Sequence, residues 1–433
     1  MALVQRAKFH GQQPSFDEIA DRIFSMAISE ASLSTRLDIV FDTYKPLSIK
    51  YNERANRATA GLQVENIAPG QKIKQWRKFL AQESNKVSLI KFLVQEWSSE
   101  KYLERLGRLH KVLFITSEEK CFRFSAVRCR EVPELQCVQE EADGRLLLHT
   151  SHAAEAGYEA VMISSNDTDV LVLNIAFCNA IKAPMYQKSG TGTRTQLIDI
   201  GKVASSLGPS VCTALPGMHA FTGCNSVSSF AGKGKLSALK TLKSNQDVQQ
   251  AFSELGNNWK LSHDLFQKLE KFTCQLYAPK QPTTGVNELR YQLFCAKNGD
   301  IESHQLPPCH DCLLKHAQRA NYQAGLWRRC LENDPQAPDP AENGWKIESE
   351  DGKDILAVDW MTVQPAPDAV LELLACTCPK RCTIEDCVCL QNGLKCTDMC
   401  KVKDCDNQPP SDDTVDVAAS LLDEADDDDD EDI

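Results

Sequence analysis

The stretch EEADGRLLLHTSHAAEAGYEAVMISSNDTD, residues 140–169, predicts a helix followed by a strand, with acidic residues at both ends of the unit. Glu140, Glu141 and Asp143 stand in the first turn of an amphipathic run, where negative charge suits the positive end of the helix dipole. Gly157 is expected to end the helix, because glycine readily adopts the left-handed conformation found after a last turn. This order of elements is typical of an α/β fold.

The apolar run at residues 160–163 predicts a buried strand that ends shortly before Asp167 and Asp169. In parallel α/β sheets, functional groups collect at the edge formed by the carboxyl ends of the strands. Carboxylates gathered there repel one another unless a hard cation such as Mg²⁺ offsets their charge. A purely structural interpretation stays open and is the commoner one from spacing alone: Asp167 or Asn166 would cap the next helix, and the earlier acids would be ordinary first-turn residues.

Composition indicates a globular protein of two or three domains, because 433 residues can bury a large core. Residues 1–11 lack the apolar segment of a signal peptide. The longest apolar run, residues 170–181, is interrupted by Asn174 and Asn179, so no membrane span is predicted. We therefore expect an intracellular protein with no membrane partner.

The net charge of −12 comes from the C-terminal tail. Residues 412–432 hold 12 acids and no Lys or Arg, which leaves 48 acidic residues against 48 basic ones in the rest of the chain. We expect residues 408–433 to be disordered. Solvation is the default role of such a tail, and binding of basic chromatin proteins such as histones is the alternative.

Alternating strands and helices predict a mostly parallel sheet with helices on both faces. Ser15 and Glu18 have capping-box spacing at the start of the first helix. The apolar face of that helix comprises Phe16, Ile19, Ala20, Ile23, Phe24 and Ala27. Other strands are predicted at residues 37–42 and 112–116, a hairpin at 183–198, and helices at 73–97 (one or two), 170–176, 247–295 and 307–330.

Four motifs in order resemble the flap endonuclease/XPG group of the PIN-like nuclease superfamily, over residues 1 to about 242. They are VFDTYKPLSIK (40–50), EEADGRLLLHTSHAAEAG (140–157), SNDTDVLVL (165–173) and FTGCNSVSSFAGKGK (221–235). The resemblance implies a structure-specific endonuclease that uses Mg²⁺ or Mn²⁺ to hydrolyse DNA phosphodiesters. It also implies a helix-hairpin-helix-like DNA clamp at residues 212–242.

The family's functional positions are carried over by the resemblance alone. Those that match metal-binding residues are Asp42, Glu141, Asp143, Asp167, Asp169 and, at the last position, Asn225. Those that match phosphate-contacting residues are Lys50, Arg54, Lys233 and Lys235. Helical spacing pairs Glu140 with Asp143, whereas the resemblance pairs Glu141 with Asp143, and we follow the resemblance. Taken by themselves, residues 45–57 are better explained as a solvated basic loop.

Two departures from the family pattern weaken the expected chemistry. Residues 1–5 resemble those that follow the family's first central strand and its Asp, so this strand and ligand are missing and a truncated gene model is the better explanation. Asn225 keeps an oxygen ligand where the family has an Asp, but it removes the charge. Because two-metal hydrolysis depends on anionic ligands, we expect weak or absent nuclease activity.

A second site is predicted from the spacing C-x-C-x3-C-x4-C-x-C-x6-C-x3-C-x4-C-x-N at residues 376–407. Its cysteines are Cys376, Cys378, Cys382, Cys387, Cys389, Cys396, Cys400 and Cys405. Eight of the chain's 19 cysteines at such short spacing predict Zn²⁺ binding. The stretch resembles one CXC repeat of the tesmin/TSO1 family, including Gly393 and Asn407, which implies DNA binding.

Two features weaken that implication. Val402 stands where another cysteine is expected, so one ion of the cluster would be missing or under-coordinated. Five basic and five acidic residues balance in the segment, which weakens phosphate attraction. A structural zinc knuckle or protein-binding module is the alternative.

The predicted organisation is a PIN-like domain at residues 1–300, a helical extension and linker at 301–372, the CXC zinc module at 373–407 and the acidic tail. The leading hypothesis is a nuclear, DNA-associated PIN-like protein of mobile-element descent. The competing hypothesis is a non-catalytic, zinc-dependent DNA- or chromatin-binding scaffold. A globular protein unrelated to nucleic acid is the third possibility.

Overall fold

The chain divides into two compact units, Met1–Met361 and Thr362–Ile433, here called the main unit and the C-terminal unit. The computed structural model describes residues 1–7, 9, 13–45, 47–50, 66–190, 192–280, 283–297, 301–350, 353–363, 376–379, 381–391, 395–396, 400–402 and 405–407. Arg54, Gly393 and the predicted disordered tail therefore lie outside the described residues. In the part of the chain that is described, no helix has both the length and the apolar character needed to cross a membrane.

The main unit is an α/β structure whose helices outnumber its strands. Its helices are α1 (Ala2–Gln5), α2 (Phe16–Glu30), α3 (Trp76–Ala81), α4 (Glu83–Trp97), α5 (Glu100–Arg108), α6 (Ala142–Glu155), α7 (Thr168–Phe177), α8 (Ile200–Leu207), α9 (Pro209–Thr222), α10 (Lys235–Ser244), α11 (Gln246–Glu254), α12 (His263–Tyr277), α13 (Val286–Ala296) and α14 (His310–Arg328). Its strands are β1 (Arg36–Ile39), β2 (Val112–Ser117), β3 (Lys120–Phe124), β4 (Cys129–Glu131), β5 (Val161–Ser164), β6 (Met185–Ser189), β7 (Gln196–Asp199), β8 (Trp345–Glu350) and β9 (Lys353–Val358).

The described strands form three separate sheets, which corrects the prediction of one mostly parallel sheet. The first sheet has the order β1-β2-β3-β4, the second β5-β6-β7 and the third β8-β9. Only the pairs β1–β2 and β5–β6 are parallel. The two residues between β2 and β3 leave room only for an antiparallel return, and the hairpin β6–β7, which was predicted, is also antiparallel.

Strand β5 is more exposed than predicted. Ile163 is buried, but Met162 is 48% exposed. Ile163 lies on a covered face and Met162 and Ser164 lie on an exposed one, so only one face of β5 is covered. Its apolar sequence therefore does not indicate the doubly covered position that we expected.

Two large cores position the functional groups of the main unit. The first core joins α2 and the helices α3–α5 to β1 and β2. The start of α2 is capped by a hydrogen bond from the backbone N–H of Ser15 to Glu18 Oε2 at 2.9 Å. All six residues of the predicted apolar face of α2 are buried, which confirms that prediction. The second core joins β5, β6 and helices α6 to α14. Helix α14 and the hairpin β8–β9 both lie in the segment predicted as an extension, and α14 contributes to this core.

Gly256 allows α11 to approach α14 closely. Its φ is +86°, and a Cβ there would lie 2.5 Å from backbone atoms of Ala324 and Gly325. Its N–H donates to Asn321 Oδ1 at 2.9 Å. This contact fixes the position of α14, which supplies side chains to the carboxylate site described below.

Replacement of Gly256 by Ala is therefore expected to destabilise the main unit by about 3 kcal/mol or more, because backbone strain and overpacking add. The matched control is Gly157→Ala after α6, where φ is +83° but a Cβ would meet nothing within 4 Å. That change should cost about 1 kcal/mol from strain alone. Urea unfolding of both variants checks the difference, and equal losses would show that the close approach is unimportant.

The C-terminal unit has little regular structure in its described part. Its one described helix, α15, spans Val388–Gln391. Six of its cysteines are buried against one another, and Leu390 and Val402 pack against them. Cysteine side chains thus form most of the buried cluster in the described part of this unit.

Candidate metal centres

Three carboxylates of the predicted site meet at one point, and we call them the carboxylate cluster: Asp143, Asp167 and Asp169. One oxygen of each lies within 4.8 Å of the others, a geometry that could hold a metal ion. Asp143 stands in the first turn of α6. Asp167 is the N-cap of α7, and its Oδ1 accepts the N–H of Asp169 at 2.9 Å. The capping and metal-binding interpretations of the sequence are therefore compatible.

The electrostatics of the cluster show that it needs positive charge. Burial, followed by the negative charge of Glu141, raises the pKa of the Asp143 carboxyl to about 8, although the nearby Lys50 opposes this shift. Burial and the charge of Asp169 likewise raise the pKa of Asp167. Incompletely compensated negative charge thus favours protonation of these carboxyls, and a divalent cation would compete with those protons.

Asp169 differs because a histidine and a lysine compensate its charge. His219, buried in α9, places Nε2 at 2.7 Å from Asp169 Oδ1, and Lys235 Nζ lies 3.0 Å from His219 Nδ1. Because an ammonium group can only donate, Nδ1 accepts and Nε2–H donates to the carboxylate. Burial opposes ionisation of Asp169, but this hydrogen bond and the nearby positive charges, including those of Lys50 and Lys235, together lower the pKa of the carboxyl. The imidazole also stacks on Trp327, with 5.6 Å between ring centroids.

Glu141 lies beside the cluster, and protein donors hold its carboxylate. Trp327 Nε1 donates to Oε2 at 3.1 Å, and Lys50 Nζ lies 3.0 Å from Oε1. Gln323 Nε2 donates to Oε1 at 3.4 Å, and its own Oε1 accepts the hydroxyl of Ser226. The predicted ligand is thus near the cluster, with its oxygens directed to α14 and to Lys50.

Of the other two predicted ligands, Asp42 contacts the start of α6, whereas Asn225 is exposed. Asp42 Oδ1 accepts the N–H of Ala142 at 3.0 Å, at the start of α6, and its charge contributes to the raised pKa of Asp143. Asn225 is exposed in the turn between Cys224 and Val227.

The basic residues predicted to contact phosphate are only partly assembled. Lys50 contacts Glu141, and the charges of Glu141 and Asp143 raise the pKa of Lys50 despite its burial. Lys235 contacts His219, and the ammonium of Lys233 lies 4.8 Å from the ring centroid of Tyr277.

The described cysteines of the C-terminal unit form a second centre, which we call the cysteine cluster. Three groups of sulphurs each lie within 4.8 Å: Cys376–Cys387–Cys389–Cys396, Cys376–Cys378–Cys382–Cys387 and Cys382–Cys396–Cys405. The eighth predicted cysteine, Cys400, has its sulphur 3.8 Å from that of Cys389. All eight predicted cysteines therefore meet in one cluster that could bind metal.

The sulphur spacing fits tetrahedral coordination. Zn–S bonds of about 2.3 Å in a tetrahedron place sulphurs about 3.8 Å apart. The observed separations are 3.6 Å for Cys376–Cys382, 3.9 Å for Cys382–Cys396 and 4.0 Å for Cys387–Cys396. A disulfide would need about 2.05 Å, and the cysteines are free. Val402, which stands where a further cysteine was expected, packs against the cluster.

Sequence reasoning missed His219, Gln323 and Trp327. His219 lies 50 residues from Asp169 along the chain, and Trp327 lies 186 residues from Glu141. For His219 the available signal was a histidine inside the largely apolar helix α9. Helix α14 is rich in polar residues, so Gln323 and Trp327 gave no such signal. In comparisons with known proteins, no family model and no curated protein matches this chain.

Proposed function

We propose that this chain is a DNA-associated protein with a PIN-like nuclease fold, of mobile-element descent, whose phosphodiesterase chemistry is weak or absent. In this proposal the carboxylate cluster binds Mg²⁺ or Mn²⁺, and the cysteine cluster binds Zn²⁺. The observation that carries the proposal is the meeting of Asp143, Asp167 and Asp169 at one point, with the pKa of Asp143 raised to about 8. Hard divalent cations prefer such oxygen ligands.

The distribution of the remaining acids favours weak chemistry. Hydrolysis by two metal ions requires one ion to activate water and another to stabilise the leaving oxygen. Three clustered carboxylates suffice for one ion, whereas Glu141 is engaged by Lys50 and Trp327 and Asp42 caps α6. A second ion would have to displace these contacts. One bound ion can orient a phosphate, but it supplies only half of the two-ion arrangement.

The cysteine cluster supports zinc through its sulphur spacing, and DNA binding and a nuclear location follow from the resemblance to the CXC repeat. The equal numbers of acidic and basic residues in the module limit phosphate-driven affinity. DNA recognition by this unit would thus depend on base or shape contacts more than on charge.

One observation favours the second candidate, a zinc-dependent DNA- or chromatin-binding scaffold without catalysis. Lys50 Nζ is 3.0 Å from Glu141 and is affected by the charges of Asp143 and Asp42. An internal ammonium group thus supplies part of the positive charge that the acids need. A protein stabilised in this way retains its fold when no divalent ion is bound.

A nuclease assay tests the proposal. The purified chain, incubated with flap and single-stranded DNA and Mg²⁺ or Mn²⁺, is expected to bind DNA at low salt and to cleave it no faster than its Asp169→Ala variant. The exposed Glu159→Gln variant is the matched control for loss of an acid outside the cluster. Divalent-dependent cleavage that persists in Glu159→Gln and disappears in Asp169→Ala would contradict the weak-activity proposal. Absence of DNA binding at low salt would contradict the association with nucleic acid.

A further inference from the structure

A cavity of about 410 Å³ lies at the opposite end of α6 from the carboxylate cluster. We propose that it binds a phosphate monoester of mononucleotide size. The residues that carry this assignment are Arg36, Phe114, Arg123, Arg130, His152 and Tyr158, all of which line the cavity. Its volume falls within the range of small-molecule sites, about 300–1,000 Å³.

The cavity is distinct from the carboxylate cluster. Asp143 is in the first turn of α6 and His152 is in its last turn. Nine residues at about 1.5 Å each separate them by roughly 14 Å along the helix axis. A ligand in the cavity would therefore not touch the clustered carboxylates.

Two arginines give the cavity uncompensated positive charge. Arg123 on β3 and Arg130 on β4 are directly opposite each other in the antiparallel pair. Arg123 is half-buried and Arg130 is exposed, and neither side chain has a hydrogen bond or ion pair to the described part of the chain. Paired guanidinium groups match the oxygens of a phosphate, which accepts two parallel N–H bonds from each fork.

Arg36 lines the cavity with a side chain that is held in place and whose charge is paired with Asp38. Its Nε and Nη2 donate to the two carboxylate oxygens of Asp38 at 2.7 and 2.8 Å, and Nη1 donates to His152 Nδ1 at 3.0 Å. Because Nδ1 accepts, His152 carries its proton on Nε2. Burial, together with the charge of Arg36, lowers the pKa of His152 and favours this neutral form. The imidazole thus offers a neutral N–H donor to a ligand.

The cavity also has apolar walls that suit an organic group. The Arg36 guanidinium stacks 4.1 Å from the centroid of Phe114 and lies 5.5 Å from that of Tyr158. This layer of planar groups offers a surface on which a nucleobase can stack. Inorganic phosphate alone would leave most of the cavity unfilled.

Two features oppose anion binding, but they do not cancel the arginines. Glu134 lines the cavity, and the C-terminal end of α6 carries about half a negative charge. With Arg36 neutralised by Asp38, the two free guanidinium groups of Arg123 and Arg130 still exceed these charges. The cavity therefore favours a phosphate group over a cation.

Isothermal titration calorimetry of the full chain without divalent ions tests the assignment, with adenosine 5′-monophosphate, ribose 5-phosphate, inorganic phosphate and adenosine as probes. We expect one saturable site for adenosine 5′-monophosphate, weaker binding of the other two phosphates and no binding of adenosine. Combined Arg123→Gln and Arg130→Gln substitution should weaken binding at least about tenfold. The control is Arg128→Gln, an exposed arginine of the β3–β4 turn that does not line the cavity and should leave binding unchanged.

Three results would overturn the assignment: no saturable binding of any phosphate probe, equal binding by the double variant, or an equal loss in Arg128→Gln. Equal affinity for inorganic phosphate and adenosine 5′-monophosphate would overturn its mononucleotide part. An Asp169→Ala background should leave the titration unchanged, since the carboxylate cluster is at the other end of α6. This experiment does not depend on nuclease activity, so either proposal can fail separately.

Discussion

Mn²⁺ is expected to raise the melting temperature of the main unit by roughly 5 °C at pH 8 and by much less at pH 5. At pH 5 the Asp143 carboxyl is protonated, because burial and the charge of Glu141 raise its pKa to about 8 in the folded chain. At pH 8 the proton is partly lost, and the cluster becomes a better ligand for a divalent ion. Thermal unfolding with and without Mn²⁺ at the two pH values measures the effect.

The same shift fixes the sign of the pH dependence without added metal. The pKa of Asp143 rises from 3.8 to about 8 on folding, so the folded state binds more protons between these values. The contribution of Asp143 to stability therefore falls as pH rises from about 4 to 8. Asp143→Asn should remove most of this slope and most of the Mn²⁺ effect.

Asp247→Asn is the matched control, because this acid is exposed in the first turn of α11 and lies outside the cluster. It should keep both the slope and the metal effect. A Mn²⁺ shift of equal size in Asp143→Asn and in the unmodified chain would exclude the carboxylate cluster as the binding site.

If the cysteine cluster holds zinc, as proposed, removal of the ion is expected to abolish the ordered structure of the described residues around it. The buried interior there consists of cysteines with Leu390 and Val402 packed against them, so little hydrophobic burial remains when the sulphurs lose a shared ion. Structural zinc contributes on the order of 10 kcal/mol to such domains. Metal analysis by mass spectrometry, with NMR spectra of the full chain before and after chelation, measures both losses.

Single substitutions should separate the parts of the cysteine cluster. Cys387 belongs to two of the three sulphur groups, whereas Cys405 belongs to only one. Cys387→Ser should therefore release more zinc than Cys405→Ser. Cys295→Ser, an exposed cysteine at the end of α13, is the control and should release none. Equal zinc content in all three variants, or a full spectrum after chelation, would contradict a structural role for the metal.

Local patterns in the sequence predicted local structure well. The apolar face of α2 and the end of α6 near Gly157 follow from spacing and from glycine conformation, which depend on neighbouring residues only. The separation into three sheets was not predictable in this way, because strand pairing joins segments that are distant in the sequence. Arg36 of β1, for example, pairs with Val112 of β2, and three described helices lie between them along the chain. Strand signals fix the direction of a side chain, but they do not fix the partner strand.

The candidate site shows the same division. Asp167 and Asp169 are two residues apart, so the sequence already implied that their carboxylates lie close together. Contacts of Trp327 and His219 with the acids depend on how α14 and α9 pack, and no short-range pattern encodes this packing. The charge compensation of the site was therefore missed, although its acids were predicted.

Lys235 would link the proposed phosphate and metal sites thermodynamically. Its ammonium both contacts His219 and helps to keep Asp169 ionised, and it is the first residue of α10, next to Gly234. A phosphate that draws this ammonium away makes the carboxylate cluster more negative and so increases its affinity for a cation. Because such coupling is reciprocal, a bound cation increases the affinity for phosphate by the same factor. If the proposed phosphate and metal sites are both occupied, this one lysine would couple their binding without any movement of the backbone.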